Sequence, residues 1–133
     1  MEVLASASGS LTGPDYQVRI ESGEHLFLAD EPVHLQGADT GPDPYSLVLS
    51  GLVSCTVITL KMYASRKGWP LENAEVECRL IQADAASAPE IIRGISLKGE
   101  LSEEQKQRLL QIASACPVHR MLSRENKVHS SLA

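Results

Sequence analysis

Three cysteines, Cys55, Cys78 and Cys116, are the residues of this chain with the most chemistry in them. A cysteine acts as its thiolate, which is both the nucleophile and the form that oxidants attack. Cys55 sits in the middle of the stretch DPYSLVLSGLVSCTVITLKMYASRK, residues 43–67. That stretch reads as a helix, and a mid-helix cysteine gets no help from a helix N-terminus. Any activation of Cys55 must therefore come from a neighbour brought in by the fold. Taken alone it is a small buried hydrophobe. Ser50, Gly51 and Ser54 give it a small face, so another backbone can come close to the sulfur. Cys116 precedes Pro117, where a helix cannot continue. If Pro117 begins a short turn, Cys116 is its N-cap and its pKa is lowered. Cys78 shares a strand face with Val76 and Leu80 and reads as core.

Other side chains could also do chemistry. Cys116 and His119 are three residues apart, and His25 and His34 lie early in the chain, but no CxxC or HxxxH pair is present. Structural zinc usually shows such paired spacing, so no metal is expected. A Cys–His hydrolase, with His25 or His119 as base for Cys55, is open in principle. Nothing marks an oxyanion hole for it. Arg66, Lys67, Arg120 and Arg124 could support a thiolate, and each also reads as an ordinary surface charge.

The elements that must position these residues follow from pattern. Asp43 is a suitable N-cap and Pro44 a suitable first helical residue. Apolar residues from Leu47 to Leu60 occur on every side, which predicts a long buried central helix. Seventeen uncharged residues separate Asp43 from Lys61, and five are Ser or Thr, too polar and short for a convincing membrane span. Gly68 and Pro70 end the helix. Alternation predicts strands over 16–21, 25–29, 74–81 and 90–98. Residues 1–13 are a weak edge strand or a loose end. Ser102 caps a second helix, with Glu103, Glu104 and Gln105 in its first turn. A short turn runs from Pro117 to Leu122, and 125–130 is a candidate last strand. The expected class is α+β with mainly antiparallel pairing.

Composition bounds the rest. The chain of 133 residues predicts a single domain over 1–133, and its net charge of −5 gives no reason to expect a nucleic-acid partner. MEVLASASGS has neither a basic n-region nor an apolar h-region, so no signal peptide is expected. Three cysteines do not make a secreted disulfide framework, and a reducing cytoplasm is the expected compartment.

Two blocks carry a family resemblance. GPDPYSLVLSGLVSCTVITLKMYASRKGW resembles the central helix of the OsmC family, which includes the organic hydroperoxide resistance proteins. LSEEQKQRLLQIASACPVHRML resembles that family's later helix and Cys-Pro element, and HLFLADEP the strand and loop ahead of the helix in a small OsmC-like subfamily. The resemblance implies an interwoven homodimer, with two central helices enclosed by curved, mainly antiparallel sheets and sites at the subunit interface. It implies a thiol peroxidase for organic hydroperoxides in which Cys55 attacks and Cys116 resolves. No cofactor is implied beyond a dithiol reductant, and no membrane partner. Leu52, Tyr45 and Arg19 are the expected substrate-side residues. One departure matters. The peroxidase members place a Glu about ten residues before the first cysteine, where it holds a thiolate-stabilising Arg; here Tyr45 stands there, with Ser46 after it. The alternative is therefore a non-catalytic dimer that binds a small apolar ligand or partner at its interface.

Overall fold

The computed structural model describes all 133 residues, which pack as two compact units, Met1–Val48 and Leu49–Ala133. The first unit holds strands β1 (Ser8–Leu11), β2 (Val18–Ser22) and β3 (His25–Ala29), joined in one antiparallel sheet in that order. β2 and β3 form a hairpin in which Ser22 pairs with His25. Its turn needs a left-handed residue, and Gly23 supplies it at φ 61°. β1 is an edge strand, the first of the two alternatives expected for residues 1–13. The segment after β3 contains a single 3-10 turn, Val33–Leu35, within an expected loop.

One carboxylate organises that loop. Asp30 is 2% exposed. It accepts hydrogen bonds from the amides of Glu31, Ala38 and Thr40 and from the Thr40 hydroxyl, the last at 2.7 Å. The Thr40 hydroxyl does most to hold the Asp30 carboxyl below the usual range.

Helix α1, Pro44–Lys67, begins as the sequence requires. Asp43 accepts the Ser46 amide at 3.2 Å and also the Ser46 hydroxyl. The far end closes through a left-handed Gly68, φ 70°, with the Trp69 amide donating to Ala64 at 2.9 Å. That bond satisfies a last-turn carbonyl in the Schellman manner. By length and composition α1 could cross a membrane, a property that core helices share.

In the second unit α1 buries one stripe at every fourth residue: Leu52, Thr56, Leu60 and Ala64. Flanking residues such as Cys55 and Tyr63 are half-buried, and Ile58 and Met62 are exposed. The stripe packs with β4 (Asn73–Ile81), β5 (Glu90–Lys98) and α2 (Glu103–Ala113). β4 and β5 pair antiparallel, with Val76 opposite Ile95 and Cys78 opposite Arg93. Ala74, Val76, Cys78 and Leu80 face inward as their alternation predicts. The core joins Leu60, Ala64, Leu71, Ala74, Leu109 and Ala113. Burying Leu60 or Leu109 stabilises the fold by about 1.5–3 kcal/mol each. Gly99, φ 137°, is required where the chain leaves β5, because a Cβ there would lie 2.0 Å from the Pro70 carbonyl oxygen.

α2 starts with a full capping box between Ser102 and Gln105. α3, Pro117–Leu122, is a short last helix. The candidate strand over 125–130 does not form. Val128, its one large aliphatic, is 85% exposed, so the segment has no apolar face to bury.

Candidate active site

The break between α2 and α3 decides where Cys116 lies. Pro117 takes the first position of α3 and Cys116 becomes its N-cap, with Sγ accepting the His119 amide at 3.5 Å. Cys116 is fully buried, whereas Cys55 on α1 is partly accessible. The two sulfurs are near enough to perturb each other's ionisation, and both are free thiols.

Their surroundings push them apart in acidity. Burial raises the Cys55 thiol. Its hydrogen bond to Cys116 raises it further, as does the charge there, while the Val118 amide and the Thr59 hydroxyl pull the other way. Burial also opposes ionisation of Cys116. There it is outweighed by hydrogen bonds from the Cys55 thiol, the His119 and Val118 amides and the Thr56 hydroxyl. Cys116 is thus held below the ordinary value of 9.0. The lowered Cys116 agrees with the N-cap expectation, and the raised Cys55 with its apolar helix.

Beneath the pair lies a polar arrangement that sequence reasoning missed. Thr56 is fully buried and donates to the Leu52 carbonyl at 2.6 Å. Arg93 Nη1 donates to Thr56 Oγ1 at 3.2 Å and to the Ala113 carbonyl at 3.3 Å. A signal was available. On β5 the inward residues are Ile91, Arg93, Ile95 and Leu97, so Arg93 is a cation on an apolar parity.

A cavity of about 320 Å³ adjoins this arrangement, lined by Leu52, Pro89, Ile91, Leu122 and Ser123 with Arg93 and His119. Burial, then the Arg93 charge, lowers the His119 pKa and favours the neutral imidazole. Of the three expected substrate-side residues, Leu52 lines this cavity. Arg19 and Tyr45 have local settings in the first unit. Arg19 pairs with Glu21 at 3.1 Å on the exposed face of β2. Tyr45 is 71% exposed and borders a hollow with His34 and Leu35. Cys78 is half-buried; burial raises its thiol, with Arg93 pulling the other way.

Comparison with known proteins settles the family. The model of the OsmC-like protein family matches residues 37–131, which include α1, both cysteines of the pair and Arg93. The chain belongs to the OsmC family. Solved structures with this OsmC fold include an OsmC-like protein from Mycoplasma pneumoniae, 21% identical with a TM-score of 0.77, over 92% of this chain and 89% of that one. An organic hydroperoxide resistance protein OsmC from Legionella pneumophila is 17% identical with a TM-score of 0.67, over 91% of each chain. An organic hydroperoxide resistance protein from Elizabethkingia anophelis, with thiocyanate bound, is 19% identical with a TM-score of 0.67, over 91% of this chain and 89% of that one. A search of curated proteins finds no significant match.

Proposed function

We propose that this OsmC-family protein is a thiol peroxidase acting on organic hydroperoxides, with Cys55 attacking and Cys116 resolving. The observation that carries the reading is the closeness of a partly accessible sulfur to a buried, more acidic one. Cys55 is the sulfur a peroxide can reach. Cys116, as thiolate, takes the Cys55 proton. The Cys55 thiolate attacks the terminal peroxide oxygen, the O–O bond breaks, and Cys55 becomes a sulfenic acid. The leaving alkoxide takes the proton back from Cys116 and departs as the alcohol. The Cys116 thiolate then attacks the Cys55 sulfur and expels hydroxide, leaving a disulfide. A dithiol returns both cysteines to thiols by exchange. Leu52, Ile91 and Leu122 give the neighbouring cavity an apolar part beside Arg93 and His119, which suits an organic hydroperoxide rather than hydrogen peroxide.

The protein acts in a reducing cytoplasm as a homodimer in this reading. Support for the dimer comes from α1, whose apolar Val48, Ile58 and Met62 are exposed in the isolated chain. The rival reading, a non-catalytic binder of a small apolar ligand, draws on Tyr45 standing where peroxidase members have their Glu and on the same cavity.

One experiment separates them. The reduced protein is treated with one equivalent of an organic hydroperoxide, digested without reductant and examined by mass spectrometry. A peptide pair joined through Cys55 and Cys116 is expected. If the pair is missing and both cysteines remain alkylatable after excess peroxide, the redox reading fails and the binding one stands. Sedimentation at micromolar concentration checks the dimer; a lone 14.4 kDa species would remove it.

A further inference from the structure

The ion pairs of the chain are Arg19–Glu21, Arg79–Glu77 and Lys106–Glu103, and Arg93 belongs to none of them. A partly buried guanidinium without a carboxylate is costly unless something else compensates it. Arg93 has two neutral acceptors, Thr56 Oγ1 and the Ala113 carbonyl. Both belong to the surroundings of Cys116. Thr56 Oγ1 is within reach of its sulfur, and Ala113 ends α2 just before it. The titratable groups around Cys116 are Cys55 on α1, Cys78 on β4 and His119 on α3, and the charged Arg93 on β5 reaches it through Thr56. Arg93 is the one fixed charge among them, and no Asp or Glu stands with it.

We propose that Arg93 is a positioning residue for the thiol pair: it fixes the Thr56 oxygen so that the Thr56 hydroxyl can donate to an anionic Cys116. The Thr56 hydroxyl has one hydrogen and two acceptors within reach, the Leu52 carbonyl and Cys116 Sγ. A guanidinium donates only, so it can hold the oxygen but cannot take the hydrogen's place. Its donation also polarises the hydroxyl and makes it a stronger donor. With Cys116 neutral, the hydrogen rests on Leu52. With Cys116 ionised, turning the hydroxyl brings a hydrogen bond to the anion, and Arg93 supplies the countercharge through one intervening group. Arg93 sits on a strand after the helix, outside the early-strand region that Arg19 represents. The inference rests on Cys55 and Cys116 being the working pair.

The test reads ionisation rather than turnover. In the Cys55→Ser, Cys78→Val background only Cys116 titrates, and its thiolate ultraviolet absorbance is followed against pH. Arg93→Gln is expected to raise the midpoint by about one pH unit, as loss of a nearby opposite charge does. Arg93→Lys recovers part of the shift, because the charge returns without the forked geometry. Thr56→Val raises the midpoint as well, and Thr56→Ser leaves it in place. Folded Arg93→Gln with an unmoved midpoint overturns the proposal. Should Arg93→Gln not fold, equal midpoints for Thr56→Val and Thr56→Ser overturn it instead. Peroxide consumption by the parent chain is measured separately. A shifted midpoint without consumption keeps Arg93 in this role and retires the peroxidase reading; consumption with an unmoved midpoint does the reverse.

Discussion

Cys55 and Cys116 are neighbours, yet their backbones treat them in opposite ways. Around Cys55, α1 runs unbroken from Pro44 to Lys67, so each nearby amide is already committed to its own helix. Around Cys116, α2 has ended and α3 has just begun, so first-turn amides are free to point at the sulfur. The side-chain types are the same, and the neighbourhood is shared. What differs is whether the chain has spare donors at that point. A proline one residue on is enough to create them, because it cannot continue the preceding helix. The result is a pair in which one sulfur is reachable and holds its proton, while the other is enclosed and gives its proton up more readily.

The largest expected effect comes from removing either sulfur. Cys55→Ser should abolish hydroperoxide consumption. Cys116→Ser should slow the first attack, because the base for the Cys55 proton is gone, and then stall after it, leaving Cys55 open to overoxidation. Mass spectrometry after a hydroperoxide titration distinguishes the two outcomes. If both variants lose activity to the same degree with Cys55 unmodified, the two sulfurs are not dividing the work as proposed.

A smaller change would blur the contrast rather than delete it. Val118→Pro removes an amide that both sulfurs use, in the first turn of α3, where the helix itself does not use that amide. Both thiols should become less acidic, so the rate of hydroperoxide loss at neutral pH should fall several-fold. The pH profile gives the sign. Because Cys116 is held below the ordinary thiol value, consumption should already be rising at pH values under that range and be lost as pH falls through the Cys116 midpoint. In Val118→Pro the whole rise should move to higher pH. A stopped-flow pH series on both proteins checks this, and an unmoved profile would mean that the amide does not tune the pair.

The smallest effect is expected at the third cysteine. Cys78 packs inward between Val76 and Leu80 on β4. Cys78→Val conserves size and polarity closely, so stability should change by less than about 1.5 kcal/mol. Peroxide chemistry should persist, as judged by denaturant unfolding and a turnover assay on the same sample. Lost turnover in a folded variant would make Cys78 a third participant.

Much of this was legible in the sequence because local rules dominate there. The dipeptide Cys116-Pro117 announces a helix break and a cap by itself. The strand expected over Glu90–Lys98 has the limits observed. Arg93 was not legible in the same way. Scanning for alternation treats a charged residue as a mark of the outer face, and the register that turns Arg93 inward is set by pairing with β4 and by what lies beneath. Thr56 was hidden for a related reason. In an apolar helix a threonine reads as a minor interruption, and its importance comes from an arginine thirty-seven residues away. The segment 125–130 misled in the other direction, since a few residues of weak alternation are not a strand without an apolar face.

The buried stripe of α1 has a geometric consequence. Four residues overshoot one helical turn by about 40°. From Leu52 through Thr56 and Leu60 to Ala64, the line of contact therefore winds about a third of the way round the helix. The apolar surface that this chain leaves open winds by the same amount. A straight rod laid along it would hold contact at one end and part from it at the other, so whatever covers that surface must cross α1 obliquely or curve with it.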